Sequence, residues 1–428
     1  MRAVLPKEGT RISPNPARFE NLRTNMRHSI LNGAFGTVAT GIVSTFVPLY
    51  LIDALHASNQ IIGWLNALPA LAGLLGSLIG AVWVPRLFRY RNFSVLNYLG
   101  ARLSYLLMAA VPASAATANS LIVAVYSIGS VPQTLGTLGW QALMAKLIPS
   151  GLRENFFGHR YALITIVGLG GTIVIGIALQ FFNPDWPVPY RVLFVVAGVL
   201  GVIEVSYLVR HREPLGGERP RPMRWRVWTD LWTVPRFRRY VLLAAFFNFG
   251  WQLSWPLFSI YQIKTAHATG LWIGLFTIAT QATEIVTFRW WGKFAQKRGG
   301  LVTMGFSGLG IGLVPLLTIL SPNLWYLTAV NLYSGLFASG MTLLLFTELL
   351  HASPVADRSA AIAFYNVVLG LVAFLSPELG VYLLPALGMD GTMLLSTIWR
   401  LIASILFFIP LRPAILQSRP ALTQVHPD

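Results

Sequence analysis

The chain contains no cysteine. Disulfide bonds, thiol catalysis and cysteine metal sites are therefore excluded. Histidine is scarce as well, with seven residues, and no pair has metal-ligand spacing. The sequence also lacks the G-x-x-x-x-G-K-[ST] loop that cradles nucleotide phosphates, so ATP-driven activity by this chain alone is not expected. The long apolar segments described below contain no Ser/His pair and no paired aspartates. Of the functions considered for this chain, a membrane-embedded enzyme is therefore the least expected, and we expect no cofactor.

Charged residues are few, at 11% of the chain, whereas apolar residues make up 55%. A soluble domain carries about a quarter charged residues. Apolar runs of about 20 residues, long enough to cross a bilayer as a helix, recur down the chain. We count twelve: residues 29–55, 61–84, 94–111, 120–143, 161–182, 192–209, 240–263, 271–291, 301–320, 324–349, 360–387 and 392–411. The sequence therefore predicts a polytopic, all-α membrane protein.

Acidic residues are the scarcer of the two charge signs, with 15 against 32 basic ones. Apart from Arg102, Arg289 and Arg400, which fall inside runs, and Arg191 and Lys264, all basic residues lie before span 1, after span 12 or in alternate gaps between spans. The positive-inside rule predicts that these gaps and both termini are cytoplasmic. We expect a multi-pass protein of the cell (inner or plasma) membrane, with the lipid bilayer as a partner and no nucleic acid.

A break in the apolar pattern at residues 211–239 divides six spans from six. Proline and glycine open this segment, and Trp225, Trp228 and Trp232 follow at helical spacing, which indicates a short interfacial helix. The predicted organisation is a cytoplasmic segment 1–28, a six-helix bundle 29–210, a central loop 211–239, a second bundle 240–411 and a cytoplasmic tail 412–428.

The two halves repeat weakly. A P-x-x-x-R motif follows span 4, ending at Arg153, and another follows span 10, ending at Arg358. The segment from Gly292 to Gly299 (GKFAQKRG) follows span 8, and a basic copy at residues 85–91 follows span 2. Their offsets agree closely, which favours duplication of a six-helix unit.

These motifs resemble those of the major facilitator superfamily of secondary transporters. The segment from Gly292 is similar to that family's cytoplasmic signature G-x-x-x-D-R/K-x-G-R, with Gln296 where the family has an acid. The resemblance identifies no subfamily. It implies twelve transmembrane helices in two pseudo-symmetric six-helix bundles, with spans 1, 2, 4, 5, 7, 8, 10 and 11 around a central cavity. It also implies a cytoplasmic gating role for Arg153, Gly292, Lys297, Arg298 and Arg358.

Ionisable residues inside spans are costly and are usually paired or functional. Arg102 on span 3 and Glu204 on span 6 lie at similar depth, so we expect an ion pair between them. Glu284 on span 8 is the first candidate for proton coupling, although hydrogen bonding to a neighbouring helix or closing the cytoplasmic side is an equal alternative. Glu378 on span 11 is the second candidate. The sequence offers no partner for Arg400.

Amides and aromatic rings on the cavity spans are the candidate solute ligands. Span 7 is the richest, because Asn248, Gln252 and Trp255 share one helix face, with Trp251 beside it. The predicted binding set is Asn32, Gln141, Asn248, Trp251, Gln252, Trp255, Gln281 and Asn331.

The predicted cavity spans carry no mid-membrane Arg, Lys or His, which favours a neutral or cationic organic solute. The predicted function is a secondary active transporter that moves such a solute by alternating access, with proton coupling, and is monomeric. Two alternatives stay open: a passive facilitator of the same fold, and a transporter-like sensor or scaffold that binds a ligand without moving it.

Overall fold

The computed structural model describes residues 16–213, 226–354 and 358–409. The first half consists of α1 (Pro16–Leu49), α2 (Asn59–Trp83), α3 (Tyr90–Ala110), α4 (Ala118–Leu147), α5 (Ser150–Leu179) and α6 (Pro187–Val209). These helices are spans 1 to 6. Helices α1 and α5 begin well before the boundaries that hydropathy alone predicts for spans 1 and 5.

The second half follows a short helix, α7 (Arg226–Thr233), at the place where the sequence predicts an interfacial helix. Its spans are built from α8 (Pro235–Leu253) with α9 (Trp255–Ile260), α10 (Gly270–Arg298), α11 (Gly300–Gly312) with α12 (Val314–Ile319), α13 (Leu324–Ala352) and α14 (Arg358–Leu406). Helix α14 contains both span 11 and span 12, and the two spans meet at a kink where Gly388 has a φ of 69°.

The predicted membrane fold is confirmed. Ten helical segments of the described chain are long and apolar enough to cross a membrane. The kinked α14 counts among these as one segment but supplies two spans, and α3, which carries the polar Asn97 and Arg102, completes the twelve.

Corresponding turns make the relation between the halves visible. Spans 1 and 7 both end in a π-helical turn, Tyr50–Ala54 and Tyr261–Thr265. A residue of positive φ follows each turn, His56 at 49° and His267 at 52°. The matching sequences are Y-x-I-x-x-x-H-A-S and Y-x-I-x-x-x-H-A-T. The two copies of this turn resemble each other more closely than do the copies of the two basic motifs.

The halves meet along two pairs of spans, 2 with 11 and 5 with 8. Glycine permits the second contact, because a Cβ on Gly176 of span 5 would lie 3.0 Å from the carbonyl oxygen of Gly270. Gly176 and Gly270 both lie at the ends of their spans away from the termini, which we call the predicted outer end.

The first P-x-x-x-R motif and the signature from Gly292 are helical, although they follow the apolar runs. Pro149 is the N-cap of α5, so the first P-x-x-x-R motif forms the first turn of that helix. Arg358 is likewise the first residue of α14. The signature from Gly292 forms the last turns of α10, and Gly299, with a φ of 86°, ends that helix.

Candidate functional site

A cavity of about 300 Å³ lies between the two halves, near the middle of the spans. Spans 1, 2 and 4 of the first half and spans 7 and 11 of the second contribute to its wall. The lining residues are Val43, Ser44, Val47, Pro48, Leu65, Asn66, Pro69, Ala70, Tyr126, Gln252, Trp255, Ala373 and Pro377. The wall thus combines apolar and aromatic surface with a few amides and hydroxyls, as ligand sites do.

Span 7 is broken where it borders this cavity. Helix α8 ends at Leu253 and α9 begins at Trp255, because Pro256 has no N–H group to continue the hydrogen-bond ladder. Gln252 and Trp255 lie on the two sides of the break. Gln252 is 9% exposed and Trp255 is 48% exposed, and both line the cavity.

Arg400 of span 12, which the sequence leaves without a partner, holds this break in place. Its side chain is fully buried. Nε donates to the Gly250 carbonyl at 3.1 Å, and Nη2 donates to the Trp251 carbonyl at 2.8 Å and to the Ser254 hydroxyl. Nη1 donates to the Ile311 carbonyl of span 9 at 3.0 Å. The guanidinium thereby satisfies carbonyls at the C-terminal end of α8, where helical acceptors lose their partners.

Two further side chains of span 12 bind the same stretch of span 7. Ser396 donates to the Gly250 carbonyl at 2.7 Å, and the Trp399 ring N–H donates to the Phe246 carbonyl at 2.9 Å. Span 7 is therefore fastened to span 12 immediately on the N-terminal side of its break. The sequence gives no signal of this arrangement beyond the charge of Arg400 itself.

Three hydrogen bonds join the halves between described residues, and all three lie at the predicted outer end. Lys264 donates to the Ala57 carbonyl at 3.0 Å and to Asn59 Oδ1 at 2.9 Å. Gln60 of span 2 donates to Glu378 Oε1 of span 11. We call these three bonds the outer latch.

Glu378, which accepts the Gln60 bond of the outer latch, is partly buried. Its second oxygen, Oε2, is buried and has no hydrogen-bond partner. Gly63 makes room for it, because a Cβ there would lie 2.9 Å from Oε2. A carboxylate predicted for proton coupling is thus part of the contact between the halves.

Glu284, the other predicted coupling residue, lies away from the cavity lining. It is half-buried on the side of span 8 that faces span 10. Thr280, one turn earlier, bonds to Asn331 at 3.2 Å, and Thr287, one turn later, lies 2.8 Å from the Ser339 hydroxyl. No ion pair or side-chain hydrogen bond holds the Glu284 carboxylate within the described part of the chain.

The remaining predicted ligands are not brought to the cavity lining. Asn32 donates to the Glu204 carbonyl at 3.1 Å, and Asn248 donates to the Ala244 carbonyl at 2.8 Å within its own helix. Asn331 joins spans 8 and 10 through Thr280. Trp251 packs against Phe247, Gln281 is half-buried on span 8, and Gln141 is exposed near the predicted cytoplasmic end of span 4.

The predicted ion pair in the first half is present. Arg102 Nη2 lies 2.7 Å from Glu204 Oε2, and both side chains are nearly inaccessible. Arg102 also donates to the Tyr105 hydroxyl at 2.8 Å. The pair fastens spans 3 and 6 together, and the Glu204 carboxylate also attracts the charge of Arg160 from a greater distance.

Span 5 carries a buried cation, Arg160, at its predicted cytoplasmic end, which the argument for a neutral or cationic solute did not take into account. The sequence places this residue in a cytoplasmic gap, but α5 begins at Ser150, so Arg160 lies in the third turn of the helix. Its side chain is 6% exposed and contacts span 1 and span 4. Hydropathy could not find it, because the first turns of α5 are polar.

The predicted gating residues lie at the predicted cytoplasmic end. Gly292, Lys297 and Arg298 occupy the last turns of α10, and both basic side chains are exposed. The side chains of Arg153 and Arg358 lie outside the described part of the structure.

One family model matches a large part of the chain. Residues 30–322 match the family model described as Major Facilitator Superfamily. No curated protein matches the sequence.

Solved structures match over nearly the whole chain. The nucleoside transporter NupG aligns with a TM-score of 0.70 at 13% identity, covering 90% of this chain and 98% of its own. A D-xylose-proton symporter aligns with a TM-score of 0.68 at 16% identity, covering 90% and 97%. A bacterial homolog to the human lysosomal transporter Spinster, inward-facing and unoccupied, aligns with a TM-score of 0.65 at 13% identity, covering 92% and 97%. At these identities the likeness concerns the fold.

Proposed function

The chain belongs to the major facilitator superfamily, and from that premise we propose that it is a secondary active transporter that moves a small organic solute by alternating access. The observation that carries this proposal is the cavity lined by both halves, with the three described hydrogen bonds between the halves confined to one end. Such a site is exposed to one side or the other when two bundles rock around it.

The lining supports a solute with aromatic or hydroxyl character in this part of the path. Trp255 and Tyr126 offer rings, and Gln252, Asn66 and Ser44 offer amides and a hydroxyl. None of the lining side chains is charged. A solute body would therefore be held by stacking and by hydrogen bonds.

We assign the outer latch the role of the closed gate. Its bonds and the Gly176–Gly270 contact lie on the predicted outer side of the cavity, and we propose that this state opens toward the predicted cytoplasmic side. Rocking to the other state requires that Lys264 release Asn59 and that Glu378 release Gln60.

Proton coupling is proposed at Glu378 first and at Glu284 second, the reverse of the order that the sequence favours. Glu378 accepts a hydrogen bond across the two halves, so a change in its charge acts directly on the latch. Replacing Glu378 by Gln should make transport insensitive to an imposed pH gradient, whereas the same change at Glu284 should leave the gradient effect in place.

The experiment that tests the function begins with a thermal-shift screen of the detergent-purified chain against sugars, amines, nucleosides, organic acids and peptides, since a bound ligand raises apparent stability. Each ligand found is then tested for counterflow in proteoliposomes. Counterflow is the expected result. Binding without flux would instead favour the sensor or scaffold, and flux that never accumulates solute against a gradient would favour the passive facilitator.

A further inference from the structure

A buried guanidinium lies on the predicted cytoplasmic side of the cavity without a carboxylate partner. Arg160 is 6% exposed, and no carboxylate of the described residues lies within ion-pairing distance of it. Glu204 attracts Arg160 from beyond ion-pairing distance, but its carboxylate is already bound by Arg102. A buried charge is costly unless an opposite charge or strong hydrogen bonds compensate it.

The surroundings fix this guanidinium in one orientation. Its Nε donates to the Ser29 carbonyl of span 1 at 3.1 Å, and its Cζ lies 4.4 Å from the centre of the Trp140 ring of span 4. Span 1 approaches closely because residue 33 is glycine: a Cβ there would lie 2.4 Å from Nη2. Stacking and one backbone bond thus leave the two Nη groups as donors in a preorganised fork.

The same residues offer additional unused donors. The Ser29 hydroxyl and the Trp140 ring N–H are both buried without a hydrogen-bond partner. An indole N–H can only donate, and so can a guanidinium. A buried cation next to free donors on neighbouring helices matches an anionic group, and a planar fork can bind a carboxylate through two parallel hydrogen bonds.

We propose that Arg160, with Trp140 and Ser29, binds the carboxylate of an organic solute on its way between the central cavity and the predicted cytoplasmic side. The proposal rests on the proposed function and names its substrate class. Gly33, which lies against the guanidinium, is about 15 Å along span 1 from Val43 in the cavity wall. The carboxylate would therefore bind Arg160 at a second site, separate from the cavity residues Gln252 and Trp255.

Binding of anions to the purified full chain tests this assignment. Melting temperatures are measured against sodium benzoate, an aromatic carboxylate, and against sodium chloride and inorganic phosphate, all at equal ionic strength. Benzoate should raise the melting temperature in a saturable manner, and more than chloride or phosphate. Equal effects of all three would show a general anion site and overturn the claim for a carboxylate.

Variants locate the effect. Arg160→Gln should abolish the benzoate shift, and Arg160→Lys, which keeps the charge and loses the fork, should weaken binding about tenfold. Trp140→Phe keeps the ring and removes its N–H, so it should also weaken binding. Trp140→Phe still tests the site if the Arg160 variants fail to fold. Arg86→Gln, a change at an exposed arginine, is the matched control.

The outcomes separate this inference from the proposed function. A benzoate shift that persists in Arg160→Gln and in Trp140→Phe overturns the site, whatever the transport assay shows. Loss of the shift in those variants, with no flux of any solute in proteoliposomes, supports the site while refuting transport.

Discussion

Weakening the outer latch at Lys264 should open the predicted outer end. Lys264→Ala removes two hydrogen bonds across the halves, at 3.0 Å to the Ala57 carbonyl and at 2.9 Å to Asn59. A hydrogen bond contributes about 0.5–1.5 kcal/mol net. Because Lys264 is exposed, we take the lower end of that range for each bond, about 1 kcal/mol in total. The ratio of closed to open molecules should therefore fall about fivefold.

The chain suits distance measurement by paired spin labels because it has no cysteine of its own. Labels on Ser114→Cys and Pro322→Cys report the separation of the halves at the predicted outer end. Lys264→Ala should add or enlarge a longer-distance population, whereas Arg236→Ala, at an exposed arginine on the opposite end, should leave the distribution unchanged. An unchanged distribution in Lys264→Ala would refute the latch as a gate.

Three further predictions concern the break in span 7, the contact between spans 5 and 8, and a buried histidine. Arg400→Gln leaves several buried carbonyls unsatisfied at about 1–3 kcal/mol each, so it should lower the melting temperature far more than Ser396→Ala. Gly176→Leu should push spans 5 and 8 apart and lengthen the outer label distance, whereas Gly170→Leu, where a Cβ meets nothing within 4 Å, should not. Burial lowers the pKa of His211, just beyond span 6, from 6.5 to about 4. The unfolded chain therefore binds that proton more readily, so stability should fall as pH drops from about 6.5 to about 4, and His211→Asn should flatten this slope in melting curves.

The architecture could be read from the sequence because its signals are strong and local. A bilayer requires long apolar helices, and basic residues collect on one side, so the spans and their division at residues 211–239 follow from composition. The Arg102–Glu204 pair could be predicted as well, because two opposite charges at equal depth in neighbouring spans have few other partners.

The cavity lining could be predicted only in part. Gln252 and Trp255 line the cavity, but Asn248, predicted on the same face of span 7, bonds within its own helix. Asn32 and Asn331 carry the same chemistry and bond to neighbouring helices instead. Side-chain type does not reveal which face of a helix meets a cavity. The role of Arg400 depends on where a broken helix leaves its carbonyls, which only the three-dimensional packing determines.

Arg160 shows how a boundary error changes a functional argument. Hydropathy starts span 5 at residue 161, whereas the helix starts at Ser150. That difference moves a cation from a solvated gap into a buried contact with Trp140, which is the basis of the proposed carboxylate site. The Tyr50 and Tyr261 turns, by contrast, could have been found from the sequence through their shared Y-x-I-x-x-x-H-A pattern.

Accessibility of the cavity from each side of the membrane tests alternating access most directly. Ser44 is an exposed residue of the cavity wall, so Ser44→Cys gives the chain a single thiol there. A membrane-impermeant thiol reagent should modify it from the predicted cytoplasmic side in the otherwise unchanged protein. With Gly176→Leu added, modification should shift to the predicted outer side. A thiol that reacts from neither side, or from both sides at once in the same state, would contradict the account.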